Sequence, residues 1–113
     1  MEIPNAYRAV IEPMKLRGYL LSGGHPTGRS KARFFAACGF SAEHWSRFEQ
    51  DLRTQHLSQD ATLRERTPYG QKYEIRATLV GLSGRSARVV SCWMVRSEED
   101  FPRFVTAYPE GSR

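Results

Sequence analysis

No stretch of this 113-residue chain approaches the apolar length that a membrane span requires. The first residues, Met1 to Asn5, carry neither a basic segment nor an apolar one, so no secretory signal is visible. That fits a cytoplasmic protein, and equally a module excised from the C-terminus of a larger secreted one. Cysteine is scarce. Cys38 and Cys92 form no metal-type spacing and make no disulfide framework, so both are expected to be reduced and packed. The three histidines, His25, His44 and His56, lack ligand spacing as well. No metal and no cofactor are therefore expected. Repeats, low-complexity runs and linkers are missing too, and the length predicts a single domain over residues 1–113.

Acidic residues are also in short supply, 12 against 17 basic ones, which leaves a net charge of +5. The basic side chains are mostly arginine, with lysine only at Lys15, Lys31 and Lys72. Arginine presents a planar fork that matches phosphate. The balance favours a polyanionic partner, either nucleic acid or an acidic protein, over a membrane. What is present in quantity is apolar: 40% of residues are hydrophobic and 12% aromatic, enough to exclude disorder and to fill a core.

The front half reads as helical and the back half as strands. Short helical turns are predicted over Ala6–Ile11 and over Pro13–Leu21, the second with proline at its first position. Ser30 is a suitable N-cap for a helix over Lys31–Cys38, and Gly39 a suitable stop. A further helix runs from Ser41 to about Leu57, with Trp45, Phe48 and Leu52 as its apolar stripe. His56 joins that stripe and reads as structural, whereas His44 reads as solvent-facing. Strands follow at Ala61–Thr67, Lys72–Val80, Ala87–Val95 and Pro102–Tyr108. In the second, Tyr73, Ile75, Ala77 and Leu79 alternate with Lys72, Glu74, Arg76 and Thr78, the pattern of a half-buried antiparallel strand. The third is more uniformly apolar and is placed centrally, with Trp93 in the core rather than on a base-stacking surface. Strict alternation puts Phe104, Thr106 and Tyr108 on one face of the last strand, and Arg103, Val105 and Ala107 on the other. The fold class is α+β, with N-terminal helices packed on one face of a C-terminal antiparallel sheet of about four strands. The other sheet face stays open.

The segment from Gly23 to Lys31 concentrates the chemistry. Gly23, Gly28, Arg29 and Ser30 come within one residue of the phosphate-loop pattern, with Arg29 where lysine belongs. A nucleotide hydrolase is nevertheless excluded, because the chain is too short for a doubly wound sheet and its strands come last. The loop is either an ordinary helix cap or an anion site built from free N–H groups and the positive end of a helix dipole. Lys31 breaks two local rules. It puts a cation in the first turn, against the dipole, and it lies on the apolar side of its helix. A stem that snorkels to water would explain it without function. His25 titrates near neutrality and is a candidate acid or base.

A set of strings stands out along the chain: His25-Pro26, Gly28, Ser30-Lys31-Ala32 and Phe34-Phe35, then Gly39-Phe40, Tyr69-Gly70 with Tyr73, Gly84-Arg85, Trp93, and Pro102-Arg103 with Thr106 and Tyr108. Together they resemble a bacterial domain family of unknown function that occurs alone or at the C-termini of polymorphic-toxin and phage-related proteins. The resemblance covers residues 13–109. In architecture and residue types the layout is also similar to the metal-independent ribonucleases of the barnase–EndoU–colicin–RelE superfamily. What this implies is a toxin, acting as an endoribonuclease in which a ribose 2′-hydroxyl attacks the adjacent phosphate. His25, Lys31, Arg103, Thr106 and Tyr108 would be catalytic, and Gly28, Arg29, Ser30 and Arg76 would bind the RNA substrate. A small acidic antitoxin or immunity protein would be its partner. The rivals are a non-catalytic module that binds nucleic acid or protein, and an immunity-type inhibitor, against which the high pI argues.

Overall fold

The computed structural model describes residues 1–21 and 29–111, and only the backbone at residues 19, 20, 29 and 30. The helical half comprises a 3-10 turn at Ala6–Arg8, helix α1 at Pro13–Lys15, helix α2 at Arg29–Ala37, a 3-10 turn at Ala42–His44 and helix α3 at Trp45–Asp51. Helices α1 and α3 each run on into a π turn, at Leu16–Leu20 and Leu52–His56. In both, an amide bonds the carbonyl five residues back, Leu21 to Leu16 and Leu57 to Leu52, at 2.7 Å.

Four strands follow: β1 at Ala61–Thr67, β2 at Gly70–Val80, β3 at Ser86–Arg96 and β4 at Pro102–Pro109. They form one antiparallel sheet in the order β1-β2-β3-β4, a meander with β2 and β3 central. The fold is α+β. The alternation in β2 decides which face is buried: Tyr73, Ile75, Ala77 and Leu79 all point into the core. Val89 and Trp93 of β3, with Phe104 and Ala107 of β4, complete that face. The helices cover it with Leu16, Phe35, Phe40, Phe48 and Leu52, all fully buried. Phe48 lies between Phe35 and Phe40, with ring centroids 5.0 and 4.8 Å away.

Helix α2 ends as its sequence predicts. Gly39 takes φ +93°, its amide bonds Ala36 and the Phe40 amide returns to Phe35, the two bonds of a Schellman stop. At its other end, Ser30, expected as the N-cap, has helical backbone within α2, whose described part runs from Arg29. Serine is tolerated there, and cap signals locate a helix end only to within a residue or two.

The last strand also departs from simple alternation. Thr106 pairs with Cys92, but Phe104 pairs with Trp93, leaving Val105 as an extra residue, a β-bulge. The bulge shifts the pleat by one. Phe104 therefore turns into the core while Thr106 and Tyr108 stay on the opposite face, so the three do not share a face as alternation predicts. The outer edge of β4 is partly covered by the N-terminal segment: the Val10 amide donates to Pro102, and the Phe104 amide to Val10, each at 2.9 Å.

Candidate functional site

Helix α2 and strand β4 meet at Lys31. The residue after it, Ala32, and the one four along, Phe35, are buried, so Lys31 leaves the helix at the margin of its packed face. Its stem reaches β4, where Nζ donates to Thr106 Oγ1 at 3.2 Å and lies 6.0 Å from the centre of the Tyr108 ring. The bulge makes this possible, because it holds Thr106 and Tyr108 on the face away from the core.

That face continues across the sheet. Cys92 lies opposite Thr106 on one side and Glu74 on the other. Cys92 Sγ lies 4.0 Å from Glu74 Oε2, and Tyr108 shares that face of the sheet. Burial pushes the Cys92 thiol up from its ordinary value, with Glu74 adding to the effect. Burial likewise raises the Tyr108 phenol, with Cys92 and Glu74 as further causes. Both groups therefore keep their protons at neutral pH, and Tyr108 stays a hydroxyl donor.

Glu74 is the functional candidate that sequence reasoning missed. A glutamate alternating with Lys72 and Arg76 reads as one of a solvated row. Instead its side chain is only 11% exposed, and Oε1 takes Arg76 Nη2 at 3.3 Å and Arg64 Nε at 3.7 Å. The signal available was its central position on β2, opposite an apolar strand that buries Cys92. Arg76 also lies 3.9 Å from Glu110, so a chain of opposite charges fixes its guanidinium on the open face. The described residues thus bring Lys31, Thr106, Tyr108 and Arg76 onto one surface, with Cys92 and Glu74 between them.

Arg103 is placed differently. Glu99 grips it with two bonds of 2.8 and 2.9 Å, and Glu12 lies 3.9 Å away. The guanidinium also sits 5.4 Å from the Phe101 ring centre, and Arg8 lies 5.2 Å from the same ring. This clamp ties the N-terminal segment to the β3–β4 connection. The hydrogen bond from Arg103 holds the Glu99 carboxyl below its ordinary value. His25 and Gly28 lie outside the described residues. Arg29 and Ser30 open the first turn of α2, beside Lys31.

The other titratable groups have structural settings. His44 is exposed and bonds Ser41 at 2.9 Å. His56 is fully buried: Nε2 donates to the Val89 and Ala77 carbonyls at 3.0 and 3.2 Å, and Nδ1 faces Ser91 Oγ at 2.7 Å. Ser91 in turn accepts the Trp93 indole N–H at 2.8 Å. Cys38 and Cys92 are free and buried. Among the described residues no group of histidine, cysteine and carboxylate side chains is arranged to hold a metal ion. No helix among them is long and apolar enough to cross a membrane.

The architecture is similar to that of a solved structure. It is a chain in the contact-dependent growth inhibition toxin–immunity protein complex from Klebsiella pneumoniae 342, with a TM-score of 0.55 and 17% identity. The match covers 89% of this chain and 99% of that one, and at such identity it is a likeness of fold. No curated protein is similar enough to match. Residues 2–111 match the family described as Domain of unknown function (DUF6883), and the chain belongs to that family.

Proposed function

We propose that this chain is the toxin of a bacterial toxin–immunity system and that it cuts RNA without a metal ion. The observation that carries the reading is the Lys31 ammonium, held 3.2 Å from the Thr106 hydroxyl and against the Tyr108 ring on the sheet face away from the core. A cation beside a hydroxyl and an aromatic ring that carries a second one is a seat that a phosphoryl oxygen could share. The likeness of fold to a chain of a toxin–immunity complex supports the toxin reading. The net charge of +5 supports both a nucleic-acid substrate and an acidic immunity protein.

In the proposed reaction the ribose 2′-oxygen bonds to the adjacent phosphorus as the bond to the 5′-oxygen breaks, leaving a cyclic phosphate. His25 takes the proton of the attacking hydroxyl or returns one to the leaving oxygen. Lys31 and Arg76 neutralise the charge that grows on the phosphoryl oxygens, while Thr106 and Tyr108 orient them. Glu74 acts through Arg76, as a positioning residue. Gly28, Arg29 and Ser30 add backbone and side-chain donors for a neighbouring phosphate. The carboxylate clamp on Arg103 argues that it fastens the fold rather than touching substrate.

Expression in a bacterial host tests the reading. The wild-type chain is expected to arrest growth, and co-expression of an acidic neighbouring-gene product to relieve the arrest. Lys31→Ala and His25→Ala are each expected to be harmless while still folded. Harmless wild-type expression, together with salt-sensitive RNA or DNA binding, would instead favour a non-catalytic module.

A further inference from the structure

The Tyr69-Gly70 pair, singled out in the sequence, plays no part in the cluster around Lys31. It forms the turn between β1 and β2, and the structure fixes that turn closely. The Tyr69 amide bonds Thr67 Oγ1 at 3.1 Å, the Ser97 amide bonds the Tyr69 carbonyl at 2.9 Å, and Ser97 Oγ bonds the Pro68 carbonyl at 2.7 Å. The turn is thus pinned to the end of β3. The Tyr69 ring, by contrast, is 80% exposed. A largely exposed aromatic ring on a fixed backbone can meet a planar ligand without reordering the turn that carries it.

Its surroundings give that ligand a chemistry. Tyr69 borders a surface hollow of about 350 Å³ shared with Pro68, Met94, Arg96 and Glu98. Met94 offers a polarisable thioether to an aromatic ring. Arg96 and Glu98 are both exposed, and although Glu99 feels the charge of Arg96, the guanidinium can still meet a phosphate and the Glu98 carboxylate base N–H groups. The position matters as much as the composition. Cys92, Met94 and Arg96 alternate along β3 on the open face, so the hollow lies on the same face as Lys31, Thr106 and Tyr108. From Cys92 to Arg96 the strand advances about 13 Å, within reach of a nucleotide close to one bound at Lys31.

We propose that this hollow is a base-binding subsite, in which the Tyr69 ring stacks on an unpaired nucleobase of single-stranded RNA while Arg96 meets its phosphate and Glu98 its edge. The subsite extends the endoribonuclease reading above and rests on it for the identity of the strand. It makes the enzyme selective for single strands and gives it a base preference near the cut.

The test uses the full chain and a non-cleavable 2′-O-methyl single-stranded oligonucleotide, with binding followed by fluorescence anisotropy and cleavage of the matching RNA assayed in parallel. Tyr69→Ala is expected to raise Kd about tenfold, the range of one base–aromatic stack, and Arg96→Ala to weaken binding and its salt dependence. Tyr69→Phe, which keeps the ring, is expected to bind within about twofold of wild type. Thermal midpoints of all three variants should match wild type, since the side chains are exposed. If RNA is cut but Tyr69→Ala and Arg96→Ala bind like wild type, the subsite is wrong and the ribonuclease reading stands. If Tyr69→Ala weakens binding but wild type cuts nothing, the subsite stands as a nucleic-acid site and the ribonuclease reading fails. Two further results overturn the subsite: no binding of single strands by wild type, or loss of an acidic partner's binding in place of RNA binding.

Discussion

Lys31 shows how one residue can look wrong locally and be right in the fold. A cation in the first turn of α2 opposes the helix dipole, and its place beside Ala32 and Phe35 sets it at the edge of the core. The cost is offset across the chain, where Thr106 and Tyr108 receive it. His56 is the opposite case, a buried polar residue whose every bond is internal. Burial pushes its imidazole below the ordinary value, and the carbonyls of Val89 and Ala77 counter this only in part. The neutral ring is therefore the folded form. In the unfolded chain the ring takes up a proton as pH falls below about 6.5. The folded ring does so only at lower pH, so stability is full above that range and declines through it as pH drops. Thermal midpoints are expected to fall between neutral pH and pH 5 in the wild type, with a flatter profile in His56→Ala. At neutral pH that variant should lose about 3 kcal/mol, because Ser91 and two carbonyls lose their partner. A midpoint within a degree of wild type would refute the role given to His56.

Among the elements, the β1–β2 turn and the bulge in β4 shape the open face most. Gly70 adopts φ +151°, and a Cβ there would come 2.1 Å from the Val95 carbonyl oxygen. Backbone, not a flexible side chain, stands in the way, so Gly70→Ala is expected to cost about 1–3 kcal/mol, read from urea midpoints, and to loosen the Tyr69 turn. An unchanged midpoint would show that the turn relaxes freely. Element types were legible in the sequence because their signals are periodic: Trp45, Phe48, Leu52 and His56 mark a helical stripe, and Tyr73 to Leu79 a strand face. The bulge at Val105 was not legible. One inserted residue leaves the run Arg103 to Tyr108 looking like plain alternation, and only pairing with Cys92 and Trp93 reveals the shift. Glu74 escaped for a related reason: its neighbours Arg64 and Cys92 lie on other strands. The pairing of Lys31 with the Thr106–Tyr108 strand was suggested by residue type alone, and its geometry needed the fold.

On the scale of the whole molecule, the helices cover one sheet face, and Lys31, Thr106, Tyr108 and Arg76 gather on the other. That second face bears Lys31, Arg76 and Arg96, cations of the kind a polyanionic strand would meet under the proposed function. Its charges are not uniform. Glu74 and Glu110 hold Arg76 in place, so cations stand at fixed points instead of forming a diffuse basic patch. On the function proposed above, these fixed cations stabilise the phosphoryl oxygens while RNA is cleaved. The most direct measurement incubates purified wild type and Lys31→Ala with single-stranded RNA in EDTA and follows the products. Wild type is predicted to give fragments ending in cyclic phosphate, and Lys31→Ala, still folded, to be slower by about 10²–10³-fold. Intact RNA with the wild type, or equal cleavage by Lys31→Ala, would contradict the account.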